Sequence, residues 1–126
     1  MRIAVSATST DLAAQVDPRF GRCNHFIIFD PETLQHEALD NSNAAAGGGA
    51  GIAAAQMIVD KGVRAVLTGN CGPNAYQVLS AAGIQVITDV TGTVQEAIDG
   101  YKAGRYLASS KPSVEAHHGL QKGAGI

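Results

Sequence analysis

Tryptophan is absent from this sequence and aromatic residues make up only 5% of it. Without large rings the core has to be packed from Val, Ile, Leu and Ala, which suits a sheet covered by helices. Cysteine is scarce as well. Cys23 and Cys71 lie far apart and form neither a C-x-x-C pair nor a multi-cysteine framework, so a disulfide scaffold is not expected. Charge of one sign is also missing: 9 Lys and Arg against 11 Asp and Glu leave a formal net charge of -2. No broad basic field is available to draw in nucleic acid or an anionic membrane surface. No stretch approaches the roughly 20 uninterrupted apolar residues of a membrane span. Residues 1–6 carry no long apolar run or small-residue cleavage site, so the chain is expected in the cytoplasm. G-x-S-x-G, H-E-x-x-H and Walker-type signatures are lacking too, and no Ser-His-Asp set stands out, so catalysis is not expected.

What is present, over 126 residues, fits one α/β domain. Residues 2–7 read as a first strand, 25–30 as a second, and 33–39 as a third that closes a hairpin through Pro31-Glu32. The glycine-rich run 44–51 enters a helix over about 50–61, which Gly62 stops. Residues 63–68 form a buried strand that turns through Gly69-Asn70-Cys71-Gly72-Pro73-Asn74 into a helix over 75–82. Residues 84–88 are the last strand. Thr93 and Glu96 have capping-box spacing at the head of a helix over 93–102. The expected order is β-β-β-α-β-α-β-α in a five-stranded sheet, with residues 1–106 as the domain and 107–126 as a flexible tail.

Helical crossovers return the chain in parallel, so the first, fourth and fifth strands should end on one edge. Ligands in open α/β sheets gather beyond such ends, here at residues 8–22, 69–74 and 88–92. These loops offer Arg19, Arg22, Cys23, Asn70, Cys71 and Asn74, together with the amides of a helix starting near Gly72. Guanidinium groups and a helix N-terminus suit an anion, and a thiolate suits a soft metal. An anionic metal-sulfide cluster answers both descriptions. Each cysteine has a second reading as core packing, and each arginine as a loop cap. Gly49 to Ala54 formally matches a dinucleotide fingerprint but lacks its downstream acid; its glycines serve equally as a hinge into the helix or as an anion nest. His117-His118 reads as part of a solvated tail, His36 as a surface residue, and His25 as a strand residue that could face the site.

Asp17-Pro18-Arg19-Phe20-Gly21-Arg22, the glycine run 47–51, Gly69-Asn70-Cys71-Gly72-Pro73-Asn74-Ala75, Ala82-Gly83-Ile84 and Gly92-Thr93-Val94-Gln95-Glu96-Ala97-Ile98 occur in this order. Together they resemble the dinitrogenase iron-molybdenum cofactor biosynthesis family over residues 1 to about 106. The resemblance implies a ribonuclease-H-like three-layer fold without nuclease chemistry, and a role in holding or delivering cofactor precursors or related clusters. One free-standing member, from sulfate-reducing bacteria, holds a molybdenum-copper sulfide cluster by non-covalent contacts. By motif, Arg19, Phe20, Arg22, Gly69, Asn70, Gly72 and Asn74 carry over as cofactor-binding positions. Cys71 and Cys23 depart from the family pattern, and their role as metal ligands rests on residue chemistry alone. The expected function is a carrier or scaffold for a metal-sulfur cluster of molybdenum with copper or iron, exchanging it with donor or acceptor proteins. The alternative is a metal-free interaction or regulatory module using the same loop face. An enzyme with Cys71 as nucleophile ranks last, because no base pairs with it in the sequence.

Overall fold

The computed structural model describes residues 1–41 and 49–108. Within them the elements are β1 (Arg2–Ala7), β2 (His25–Asp30), β3 (Gln35–Asp40), α1 (Ala50–Asp60), β4 (Val63–Leu67), α2 (Pro73–Ala81), β5 (Gln85–Ile87) and α3 (Val94–Lys102). The order is the one expected, in one mixed sheet arranged β3-β2-β1-β4-β5. β1 runs antiparallel to β2 and parallel to β4; β3 joins β2 antiparallel and β5 joins β4 parallel. Of the features read from the sequence that lie outside the described residues, one is most of the glycine-rich entry to α1. The others are the tail from residue 109 onward and, with it, His117-His118.

Several boundaries differ from the sequence reading, three of them at element starts with a clear local cause. The hairpin turn takes four residues, since Leu34 adopts φ 63° and its amide donates to Asp30 O at 2.7 Å, so β3 starts at Gln35. α2 already begins at Pro73, whose fixed φ and missing N–H suit a first helical position. β5 is only three residues long, because the Ile84 amide is spent on Leu79 O at 3.0 Å, closing the end of α2.

The two-residue period of β1 sorts the core into layers. Ala4 faces α1 and α2 with Phe26, Ile28, Val66 and Val86, where Ala54, Ala55, Ile58, Ala75 and Leu79 meet them. Ile3, Val5 and Ala7 face the other way with Ile27, Phe29, Ala65, Leu67 and Ile87, beneath Val94, Ala97 and Ile98 of α3. The alanines on α1 and α2 let two helices lie close to the sheet. After α3 the chain turns back: Arg105 donates to Gly100 O at 2.9 Å and the Tyr106 ring lies where a Cβ on Gly100 would stand.

α3 is fastened at its head more firmly than the other helices. The Thr93 hydroxyl accepts from Glu96 N at 3.1 Å and the Glu96 carboxylate accepts from Thr93 N at 2.8 Å. Thr93→Ala removes one side of this box and is expected to cost about 1 kcal/mol, lowering the melting temperature by about 4 °C in a thermal melt.

Candidate functional site

β1, β4 and β5 deliver their carboxyl ends to one edge, and a buried polar knot fixes the loops there. Ser6 Oγ donates to the Asp17 carbonyl at 2.7 Å and shares a 2.8 Å hydrogen bond with the Thr68 hydroxyl. The Asp17 amide donates back to Ser6 O at 2.8 Å. Asp17 is buried, and its carboxylate accepts from the Arg19 amide at 2.9 Å and from Arg19 Nε at 3.3 Å. Arg19 is thereby oriented while its side chain stays 60% exposed.

The next contact is between backbones. Asn70 N donates to Pro18 O at 2.7 Å and Phe20 N donates to Asn70 O at 3.1 Å, a short parallel bridge between two loops. Gly69 makes the approach feasible: a Cβ there would stand 2.6 Å from Pro18 Cα and 2.8 Å from Pro18 O. Beyond the bridge, Gly21 meets the first turn of α1, where an added Cβ would come within 2.8 Å of Gly51 Cα.

These contacts enclose a cleft of about 190 Å³. Phe20 and Gly21 form one wall, Gly49, Gly51 and Ile52 the second, and Gly72, Pro73, Asn74 and Ala75 the third. Two helices thus begin at its rim. Neither has a side-chain cap or an acidic residue in its first turn, the N-cap residues being Gly49 and Gly72. The first amides bonded within each helix are Ala53, to Gly49 O, and Tyr76, to Gly72 O. The earlier amides, among them Gly51, Ile52, Asn74 and Ala75, have no carbonyl in their own helix to bond and carry the positive end of the helix dipole. α3 contrasts with both, for its Val94 and Gln95 amides donate to Ala14 O and Leu12 O at 2.8 and 2.9 Å, besides the Thr93 box.

Of the residues singled out in the sequence, Phe20, Gly72 and Asn74 line the cleft. Arg19, Gly69 and Asn70 knit its walls together, and Arg22 lies exposed on the loop that supplies Phe20 and Gly21. Cys23 and Cys71 do neither; both are fully buried in the core under α1 and α2. Burial pushes the Cys71 thiol up to about 12. Burial, then the Asp17 charge, does the same to Cys23, whose Sγ donates to Phe20 O at 3.2 Å. Thiols so placed stay protonated and belong to the packing of the core. His25 lies half-buried on β2 with Nδ1 3.7 Å from Asp40 Oδ1 and does not line the cleft. Residues 88–92 support the site without lining it, Asp89 N donating to Gly69 O at 2.8 Å. Their expected place is taken by the start of α1. Asn41, which carries no motif, pins the back of the wall by donating to Cys23 O at 2.8 Å and Gly21 O at 3.3 Å. Among the described residues no three His, Cys, Asp or Glu side chains converge to hold a metal ion.

A three-layer α/β domain with a backbone-lined cleft beyond its parallel strand ends is the class of protein defined by this fold and site. The chain belongs to the dinitrogenase iron-molybdenum cofactor family, which matches residues 1–104. It is similar to the apo form of the orange protein from Desulfovibrio gigas, at 40% identity over 90% of this chain and 96% of that one, with a TM-score of 0.87. A Thermotoga protein described as a candidate NifB protein is 38% identical over 91% of this chain and 98% of its own, with a TM-score of 0.79. An uncharacterised protein of Methanocaldococcus jannaschii is 32% identical over 108 residues, 83% of this chain and 88% of that protein.

Gly69→Ala should push the two loops apart, since the atoms a Cβ would strike are backbone. A loss of about 1–3 kcal/mol in urea unfolding is expected, with faster hydrogen exchange at the Phe20 and Asn70 amides. The thiols set a second expectation. Their pKa values rise from 9.0 when unfolded to about 12 when folded, so the folded chain keeps protons that the unfolded chain releases. Stability is therefore full below pH 9.0 and falls as pH rises towards about 12. Urea midpoints measured across that window should decline in the wild type and flatten in Cys23→Ala/Cys71→Ala, leaving a smaller slope from Tyr101, which burial also shifts upward.

Proposed function

We propose that this chain binds, stores or delivers an anionic metal-sulfur cluster, of molybdenum with copper or iron, as a carrier and not as an enzyme. The observation that carries this proposal is the convergence of two uncapped helix N-termini on a single cleft. Each helix end is equivalent to roughly half a positive charge, and its amides point where sulfide acceptors would lie. No carboxylate stands in either first turn to cancel that charge. Arg19 and Arg22 add cationic groups on the adjoining loop. Arg19 is preset by the buried Asp17, so it loses little conformational freedom on meeting an anion.

Family membership and the likeness to the orange protein favour a metal-cluster role. The donor set of the cleft favours grip by hydrogen bonds and charge. Phe20, Gly72 and Asn74 would lie against the cargo, Gly69 and Asn70 would keep the walls in place, and Cys23 and Cys71 would remain packing residues. Donor and acceptor proteins for the cluster would meet the same exposed edge.

Gly72→Asp separates folding from binding. Gly72 has φ -67° and ψ 169°, and no atom lies within 4 Å of where its Cβ would be, so the side chain fits. Aspartate is a better N-cap than glycine by a few tenths of a kcal/mol and adds a favourable dipole interaction, so the melting temperature should hold or rise. Its negative charge at the cleft should weaken cluster retention by at least about tenfold. Anaerobic reconstitution with molybdenum, copper or iron plus sulfide, read by metal stoichiometry and charge-transfer bands, measures this. A chain that stays colourless under every combination and captures a partner while metal-free would instead be an interaction module.

A further inference from the structure

Ile52 is the third residue of α1 and one wall of the cleft, yet it remains 41% exposed. The same position of α3 holds Glu96, whose carboxylate caps its helix. α1 therefore places a large apolar side chain where a helix gains most from an acid. Around it the cleft is short of polar side chains. Among the described residues that line it, Phe20, Pro73 and Ala75 are apolar, four positions are glycine, and Asn74 alone carries a polar group. What this cleft offers a ligand is amide donors set among hydrocarbon.

We infer that Ile52, backed by Phe20 and Pro73, is the specificity-determining residue that makes the cleft prefer thioanions to oxyanions of equal charge and shape. The inference rests on the carrier function proposed above and names what that cleft selects. An oxyanion holds its charge on small, strongly hydrated oxygens, and a few amides cannot replace the water that hydrocarbon walls exclude. A thioanion spreads the same charge over larger, polarisable sulfurs, which lose less on dehydration and gain dispersion contacts with Ile52, Phe20 and Pro73. The amides supply the attraction to negative charge, and the walls decide between oxygen and sulfur.

The test uses the full chain and two probes, tetrathiomolybdate and molybdate, titrated anaerobically by calorimetry and visible absorption. Wild type should bind tetrathiomolybdate at least about tenfold more tightly than molybdate. Ile52→Thr keeps a β-branched side chain of similar helix propensity, and should cut that ratio by about fivefold through weaker thiomolybdate binding. Ile52→Val keeps the hydrocarbon wall and should hold the ratio within about twofold of wild type. Gly72→Asp should weaken both probes, since it acts on charge alone. Equal affinity of wild type for the two anions, or a ratio unmoved in Ile52→Thr, overturns the inference and leaves the carrier function standing. Binding of neither anion by wild type removes both.

Discussion

Two backbone hydrogen bonds, Asn70 N to Pro18 O and Phe20 N to Asn70 O, hold the loop after β1 against the loop after β4. The rest of the site hangs on them. They seat Phe20 beneath the cleft, where its ring packs 5.1 Å from that of Phe26 and so against the sheet. They bring Gly21 into backbone contact with Gly51, which sets where α1 begins. Below them the knot of Ser6, Asp17 and Thr68 satisfies polar groups that would otherwise be costly to bury, and the site edge is rigid for that reason.

The three helices divide into two kinds. α3 has its first amides taken up by Ala14 O, Leu12 O and the Thr93 hydroxyl, and it serves as a cover for one face of the sheet. α1 and α2 start on glycine without a side-chain cap. At Gly72, whose backbone is extended, a Ser, Thr or Asp cap would stabilise α2 by a few tenths of a kcal/mol, whereas at Gly49 a φ of 94° suits glycine alone. Both helix starts that face the cleft lack the side-chain box present at the one that does not. Stability forgone at one spot of an otherwise consistent fold is the usual mark of a site shaped for binding.

The element order was legible because each signal was local: alternation in residues 2–7, the apolar run at 63–68, the Thr93 and Glu96 pair, the stops at Gly62 and Gly83. Boundaries slipped where a backbone amide had a competing partner, as at Leu34 and Ile84. The edge on which the cleft lies followed from crossover geometry, and Phe20, Gly72 and Asn74, singled out by motif, line it. The wall built from α1 was harder to see. Gly49 and Gly51 read equally well as a hinge, and only the close approach of Gly21 to Gly51, a contact between distant parts of the chain, decides that they line the cleft. Asn41 carried no local signal, because its task is to bond the carbonyls of residues far away in sequence.

The cysteines show what residue chemistry alone leaves open. A thiol near arginines looks like a soft-metal ligand until burial is known, and burial is a property of the fold. With both sulfurs in the core under α1 and α2, forming a thiolate would mean placing a charge among Phe20, Phe26 and Ile58. A carrier gains from that exclusion. Metal-thiolate bonds would have to break at each transfer, whereas amides and a preset guanidinium hold an anion by contacts that a competing surface or a solvent shell can replace one at a time. With the thiols in the core and the amides at the rim, a cluster carried as proposed would be held without a covalent bond and could be handed on for that reason.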